Sequence, residues 1–268
     1  MNVQGSTVLL TGATGGIGGA IAGELSRRGA SLVLVGRNGD KLEMLANGLH
    51  REDRSPLALV ADIAESGAAA SIVERARAAV GNVDILVNCA GVQTFGFFAE
   101  ENASGLQDLF AINVIAPMAM TRALLPHMLQ QRKGQIVNVG SIFGSIGFPC
   151  FASYSASKFA LRGFSEALRR ELAGTGVGVT YVAPRFTKTA FNRDVVRRMA
   201  IALKMNQDEP SAVALAVVDA IERNGHNRYL GWPEKLFVRI NSVLPRLVDG
   251  RLMKEVERMR PFAAESAP

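Results

Sequence analysis

Alternation constrains the fold of this chain more than any other feature. Short apolar runs rich in β-branched residues, TVLLTG, SLVLVG and LALVAD, take turns with longer stretches whose apolar residues recur at helical spacing, GGAIAGELSRRGA and NGDKLEMLANGLHRE. A strand followed by a helix and then another strand rejoins its sheet in parallel. These strands are apolar at nearly every position, so both faces of the sheet need cover. The pattern continues with a helix over 64–80, the strand VDILVN, a long helix over 103–131, the strand GQIVNVGS and a helix over 152–174. After the strand GVTYVAP come a less regular region over 186–207, a helix over 210–223 and a last strand, NRYLG. The prediction is an α/β fold: a doubly wound, seven-stranded parallel sheet with helices on both faces.

At 268 residues, with 48% hydrophobic residues and a mean hydropathy of +0.16, the chain can fill one large core. No linker, repeat or low-complexity tract divides it, so residues 1–231 read as one domain and 232–268 as a helical extension. A net charge of +6 suits an anionic ligand, a membrane surface or nucleic acid. Lys and Arg are spread along helices with no basic, aromatic-interleaved stripe, which excludes nucleic acid. The N-terminus lacks a basic segment followed by an apolar one, and no run reaches the roughly 20 apolar residues that span a bilayer, so a cytoplasmic location is expected. Cys89 and Cys150 form no metal-binding spacing with His50, His127 or His226, and no metal site is expected.

The first strand ends in TGATGGIG, Thr11 to Gly18, and a helix starts inside it. Gly12, Gly16 and Gly18 let the backbone turn tightly and approach a pyrophosphate, with Thr14 and Ile17 in the same turn. The helix N-terminus adds free N–H groups and the positive end of a dipole. This is a Rossmann-type dinucleotide turn. Folds that use NAD commonly place an acid at the end of the second strand, on the ribose 2′-hydroxyl. Here LVLVGRN puts Gly36 there and Arg37 next. A carboxylate repels a 2′-phosphate and a guanidinium pairs with it, so NADP(H) is expected over NAD(H); the competing reading makes Arg37 a solvated loop residue.

In SYSASKFAL, Tyr154 and Lys158 stand four residues apart on a predicted helix and project from one face. A cation beside a phenol stabilises the phenolate and lowers its pKa toward the useful range of an acid–base catalyst. Solvated Tyr and Lys pairs share that spacing, so context decides. The glycine spacing Gly-x-x-x-Gly-x-Gly, with ADI, NCAG, INV, a serine thirteen residues before Tyr154 and APRFTKT, resembles the classical short-chain dehydrogenase/reductase family over Thr7 to Gly231.

The resemblance implies a role for each matching residue. Asp62 contacts the adenine ring, and Asn88, Ala90 and Gly91 line the cofactor. Ser141 hydrogen-bonds the substrate carbonyl, and Tyr154 donates the proton in reduction. Lys158 tunes Tyr154 and binds the nicotinamide ribose, and Asn113 holds a water that links the lysine to solvent. Pro184, Thr187 and Thr189 cradle the carboxamide. Three positions depart from the family: Cys89 replaces an asparagine, Gly15 stands where NADP-using relatives often carry a base, and Arg185 replaces a glycine. Arg185 either points outward from an ordinary backbone or reaches the substrate cleft as an anion contact.

Eight of the 13 phenylalanines, Phe95, Phe97, Phe98, Phe143, Phe148, Phe151, Phe186 and Phe191, fall in three loops that border the substrate in that family. About half of them are expected only to pack the loops. The expected function is an NADP(H)-dependent oxidoreductase interconverting a ketone or aldehyde and an alcohol on an apolar substrate. The alternatives are a 3-oxoacyl-thioester reductase and, from another class, a non-catalytic dinucleotide-binding sensor or scaffold. Family habit implies a homodimer or homotetramer through the long helices. In the extension, LFVRINSVLPRLV carries an apolar stripe flanked by arginines, with Pro245 ending or kinking its first helix. That stripe can cap the cleft, pack on a second subunit or lie on a membrane surface.

Overall fold

In a computed structural model, which describes residues 1–52 and 54–265, one parallel sheet has the strand order β3-β2-β1-β4-β5-β6-β7. The strands are β1 (Thr7–Thr11), β2 (Ser31–Gly36), β3 (Leu57–Val60), β4 (Ile85–Asn88), β5 (Gly134–Val139), β6 (Val177–Ala183) and β7 (Asn227–Tyr229). The helices are α1 (Gly16–Arg27), α2 (Gly39–Gly48), α3 (Ala68–Val80), α4 (Ala103–Phe110), α5 (Ala116–Gln131), α6 (Ala152–Glu171), α7 (Asp194–Ala202), α8 (Pro210–Glu222), α9 (Glu234–Val243) and α10 (Pro245–Glu265). Alternate side chains of the central strand feed two cores, as a strand's period of two requires. Val8 and Leu10 join Ile21, Leu25 and Val217 from α1 and α8, while Leu9 joins Ile72, Leu124 and Leu168 from α3, α5 and α6. The winding direction reverses between β1 and β4, which opens a crevice at their carboxyl ends.

All seven expected strands form, and the differences are local. Helix α3 starts at Ala68 rather than 64 because the Asp62 carboxylate accepts the Ala64 amide and Gly67 takes a left-handed φ of 79°. Helix α6 ends at Glu171, short of 174. The stretch expected to be irregular contains α7, whose Val195, Val196, Met199 and Ala200 are buried along one side.

The long helix over 103–131 is continuous but passes through a π turn at Ala111–Ile115. An α-helical register would give the Asn113 carbonyl the amide of residue 117, which is a proline and has none. The turn widens instead, and the Ala116 amide reaches back to the Ala111 carbonyl. Against the expectation from apolar runs, this helix is long and apolar enough to cross a bilayer, with a window hydropathy of 1.5. In the fold it lies along the sheet with Met120, Leu124 and Met128 buried beneath it.

The extension is helical and breaks at Pro245 as expected, and it packs against the rest of the fold. Met259 and Ala263 of α10 share a cluster with Phe151, Tyr154 and Met199, and Val238 and Val248 share another with Ile142 and Ile146. Residues 232–265 therefore complete the wall of the crevice; residues 266–268 of the expected extension lie outside the described residues.

Candidate active site

The turn after β1 is built for close approach. Gly12 has φ 68°, and a Cβ there would sit 2.6 Å from the Ala90 Cα of the turn after β4. At Gly18 a Cβ would overlap the Gly12 carbonyl oxygen, so the turn closes only with glycine. Thr189 lies over Gly16, bringing the loop after β6 down on the same turn. Gly15 caps α1 without a side-chain acceptor, which leaves first-turn amides for an acceptor from outside the chain. The residues present thus fit a dinucleotide phosphate, and Ile17 leads from the turn into the cleft it shares with Ser141 and Tyr154.

At the adenosine end, Arg37 is 66% exposed, and its one ion pair among the described residues is a 3.8 Å contact with Asp62. Thr14 lies beside Gly36, where an added Cβ would stand 3.4 Å from its side chain. The Asn88 side chain is taken up within the sheet. It is buried, its Nδ2 donates to Asn138 Oδ1 at 2.8 Å, and it braces β4 against β5, leaving only its main chain near the crevice. Cys89 has no chemistry to offer, since burial pushes its thiol up to about 12.

Ser141 follows β5 and is clamped by Tyr181 on β6. The Tyr181 hydroxyl accepts the Ser141 amide at 3.3 Å and donates to the Ser141 carbonyl at 3.1 Å. Gly140 makes room for that ring. The sequence reading missed Tyr181; its signal was a tyrosine inside an otherwise apolar strand, whose buried hydroxyl requires a partner. Ser141 Oγ accepts the Phe143 amide at 3.1 Å and hydrogen-bonds Tyr154.

Burial pushes the Tyr154 phenol up to about 12, opposed by the Ser141 hydrogen bond. Lys158 Nζ lies 5.7 Å from the centre of the Tyr154 ring and donates to the Val139 carbonyl at 3.4 Å. Burial lowers its own pKa to about 8. Desolvation is the largest cause of the shift at both groups.

Asn113 is fully buried, with its side chain wholly engaged. Oδ1 accepts the Val92 amide at 2.9 Å, while Nδ2 donates to the Val92 carbonyl at 2.9 Å and to Ser157 Oγ at 3.0 Å. Ser157 in turn donates to the Tyr154 carbonyl at 2.7 Å, so Asn113 ties the loop after β4 to α6. The Asn113 carbonyl has no α-helical donor, because residue 117 is a proline. Gly91 brings backbone between Asn113 and Lys158: a Cβ there would sit 3.3 Å from Asn113 Oδ1 and 3.5 Å from Nζ.

After β6, Pro184 accepts the Ile142 amide at 2.9 Å. The Thr187 hydroxyl donates to the Arg185 carbonyl at 3.0 Å, and the Thr187 carbonyl accepts Asn192 Nδ2 at 2.8 Å. Gln93 Nε2 donates to Asn192 Oδ1 at 3.1 Å and joins this loop to the one after β4; neither residue was singled out in the sequence. Arg185 has an ordinary backbone and lines the cavity, but its guanidinium turns across Gly231 and pairs with Asp208 at 2.7 Å and Glu234 at 2.9 Å. Its side chain thus joins the loop after β6 to α9.

Above the Ser141 and Tyr154 hydroxyls opens a cavity of about 700 Å³. Five of the eight phenylalanines, Phe143, Phe148, Phe151, Phe186 and Phe191, line it. Phe95 and Phe97 pack beneath, and Phe98 is exposed. Phe237, Ile240 and Leu252 of the extension supply the opposite wall.

Comparison with known proteins agrees with this geometry. The family profile described as short chain dehydrogenase matches residues 6–200. Ketoacyl reductase HetN of Nostoc is 33% identical over 254 residues, covering 92% of this chain and 88% of its own. A short-chain dehydrogenase from Sphingobium yanoikuyae, solved with NADPH, superposes with a TM-score of 0.78 at 29% identity, covering 93% of this chain and 96% of its own. A short chain dehydrogenase/reductase from Burkholderia phymatum, solved with NAD, gives 0.82 at 24% identity and covers 97% of both chains, a likeness of fold.

Proposed function

The chain belongs to the short-chain dehydrogenase/reductase family, and on that premise we propose that it is an NADP(H)-dependent oxidoreductase interconverting a ketone or aldehyde and an alcohol on an apolar substrate. The observation that carries the proposal is the meeting of Ser141 and Tyr154 at the inner end of a phenylalanine-lined cavity. The dinucleotide, when bound, supplies or accepts the hydride. Tyr154 holds its proton at neutral pH, the form that donates to a developing alkoxide. Ser141 Oγ, bonded to that phenol, orients the same oxygen. Lys158 places a cation behind the ring, and Asn113 and Ser157 fix the helix that carries both.

The name of HetN favours a second reading within the same chemistry, reduction of a 3-oxoacyl group, whose acyl chain suits an apolar cavity. The presence together of Asn113, Ser141, Tyr154 and Lys158 speaks against a non-catalytic sensor. A panel of ketones and 3-oxoacyl esters graded by chain length, followed at the NADPH absorbance band, tests these readings together. The expected kcat/KM rises about threefold to fourfold per methylene until the cavity is full. Failure to turn over any carbonyl rules out the enzymatic reading, and indifference to chain length rules out the apolar one.

The cofactor preference rests on Arg37 and Gly36. Arg37→Ala is expected to weaken NADPH binding about tenfold or more, as loss of a charged hydrogen bond does, and to leave NADH binding unchanged. Fluorescence titration with both cofactors checks this, and equal weakening of the two counts against a 2′-phosphate site.

A further inference from the structure

Residues 232–247, from just before α9 to the start of α10, leave large apolar side chains in solvent. Trp232, Val243 and Leu247 are 71%, 75% and 64% exposed, and Leu236 and Leu244 are exposed beside them. Leu236 and Val243 lie seven residues apart on α9, so they share one side with Arg239. Leu247 also stands on the rim of the cavity. The inward side of the same hairpin is fixed, with Phe237, Val238, Ile240 and Val248 packed on Ile142 and Ile146. The exposed residues are therefore a held projection rather than a frayed end.

The charges around it are unbalanced at the same place. Lys235, Arg239 and Arg246 are exposed and have no ion pair among the described residues. Glu234 is turned inward to Arg185, and Asp249 is the single exposed acid between 232 and 251. Farther along α10, Arg258 and Arg260 are paired with Glu255 and Glu257. Cations lacking partners thus flank apolar residues lacking cover.

We propose that this hairpin docks on a bilayer bearing anionic headgroups and holds the cavity mouth at the membrane surface. Apolar side chains that enter the headgroup–acyl boundary, ringed by cations that meet anionic lipid, are the pattern of an interfacial helix. A tryptophan at the edge suits the same boundary. A second copy of this chain is a poorer occupant, because a two-fold contact sets the patch against itself and brings the same unpaired cations together. Delivery of a lipid-like substrate through the mouth rests on the apolar-substrate reading above; the docking does not.

Trp232 is the only tryptophan in the chain, so its emission reports this contact directly. The full chain is titrated with vesicles of phosphatidylcholine alone and of phosphatidylcholine mixed with phosphatidylserine, with co-sedimentation in parallel. The expected result is a blue shift and co-sedimentation with the anionic vesicles alone, reversed by high salt. Each basic side chain near an anionic surface raises partitioning about fivefold, so Arg239→Glu with Arg246→Glu should cost at least about tenfold. Val243→Ser with Leu244→Ser should abolish the blue shift, and both pairs should still reduce a short soluble carbonyl. The proposal is overturned by unshifted Trp232, by equal binding to neutral vesicles, by variants that bind like the parent, or by a patch substitution that splits a dimer without changing vesicle binding. Vesicle binding by a protein inert toward every carbonyl would leave the docking standing and remove the catalytic reading alone.

Discussion

Tyr154→Phe should lower kcat for carbonyl reduction by at least about a thousandfold while cofactor affinity stays nearly unchanged. The substitution removes one oxygen and preserves the ring, whose centre lies 6.2 Å from that of Phe143, 6.4 Å from Phe151 and 6.3 Å from Phe191. Packing of the catalytic helix therefore survives. Ser141 Oγ loses the phenol but keeps the Phe143 amide, and Tyr181 still clamps its backbone, so the serine stays in position. What disappears is the proton held at the Tyr154 oxygen. With its pKa pushed up to about 12, the phenol is almost wholly protonated at neutral pH and can act as a donor without prior loading. Single-turnover reduction together with cofactor titration separates the two effects. Reduction within tenfold of the parent would mean that another group delivers the proton.

That constellation was legible in the sequence because its signals are local. Tyr154 and Lys158 are one helical turn apart, and the glycine turn sits at a strand end that apolar patterning marks without help from the rest of the fold. The misreadings concern residues whose partners are distant in the chain. Arg185 meets Glu234 across 49 residues and Tyr181 meets Ser141 across 40, and no periodicity encodes either meeting. Asn113 is marked by its local context, whereas the hold of its side chain on Val92 and Ser157, 21 and 44 residues away, is not. The packing of the last helix was illegible because its buried residues, Met259 and Ala263, cluster with Phe95, Val195 and Met199 rather than with the sheet. Strands announce themselves through their own composition, whereas lids and clamps become visible only when the elements they join have been placed.

Lys158→Met separates stability from chemistry most sharply. The ammonium is buried, and its pKa falls from the ordinary 10.5 to about 8, equivalent to roughly 3 kcal/mol against the charged form. Below pH 8 the folded and unfolded chains both hold the proton, and the folded chain bears that whole penalty. Between pH 8 and 10.5 the unfolded chain holds more protons, so stability rises with pH; above 10.5 the penalty is gone. Methionine has similar length and no charge, so the variant should be about 2–3 kcal/mol more stable at pH 7 and should lack the rise between pH 8 and 10. Tyr154 acts in the opposite sense above pH 10, where its raised pKa makes stability fall, so the comparison belongs below that point. Denaturant unfolding at pH 7 and at pH 9.5 reads both features, and a variant less stable than its parent at pH 7 would contradict the burial argument. The same substitution removes the cation behind Tyr154 and should lower kcat by about a hundredfold or more. A lysine that weakens the fold yet supports turnover is held there by chemistry, and it marks the site more firmly than a residue that also served packing.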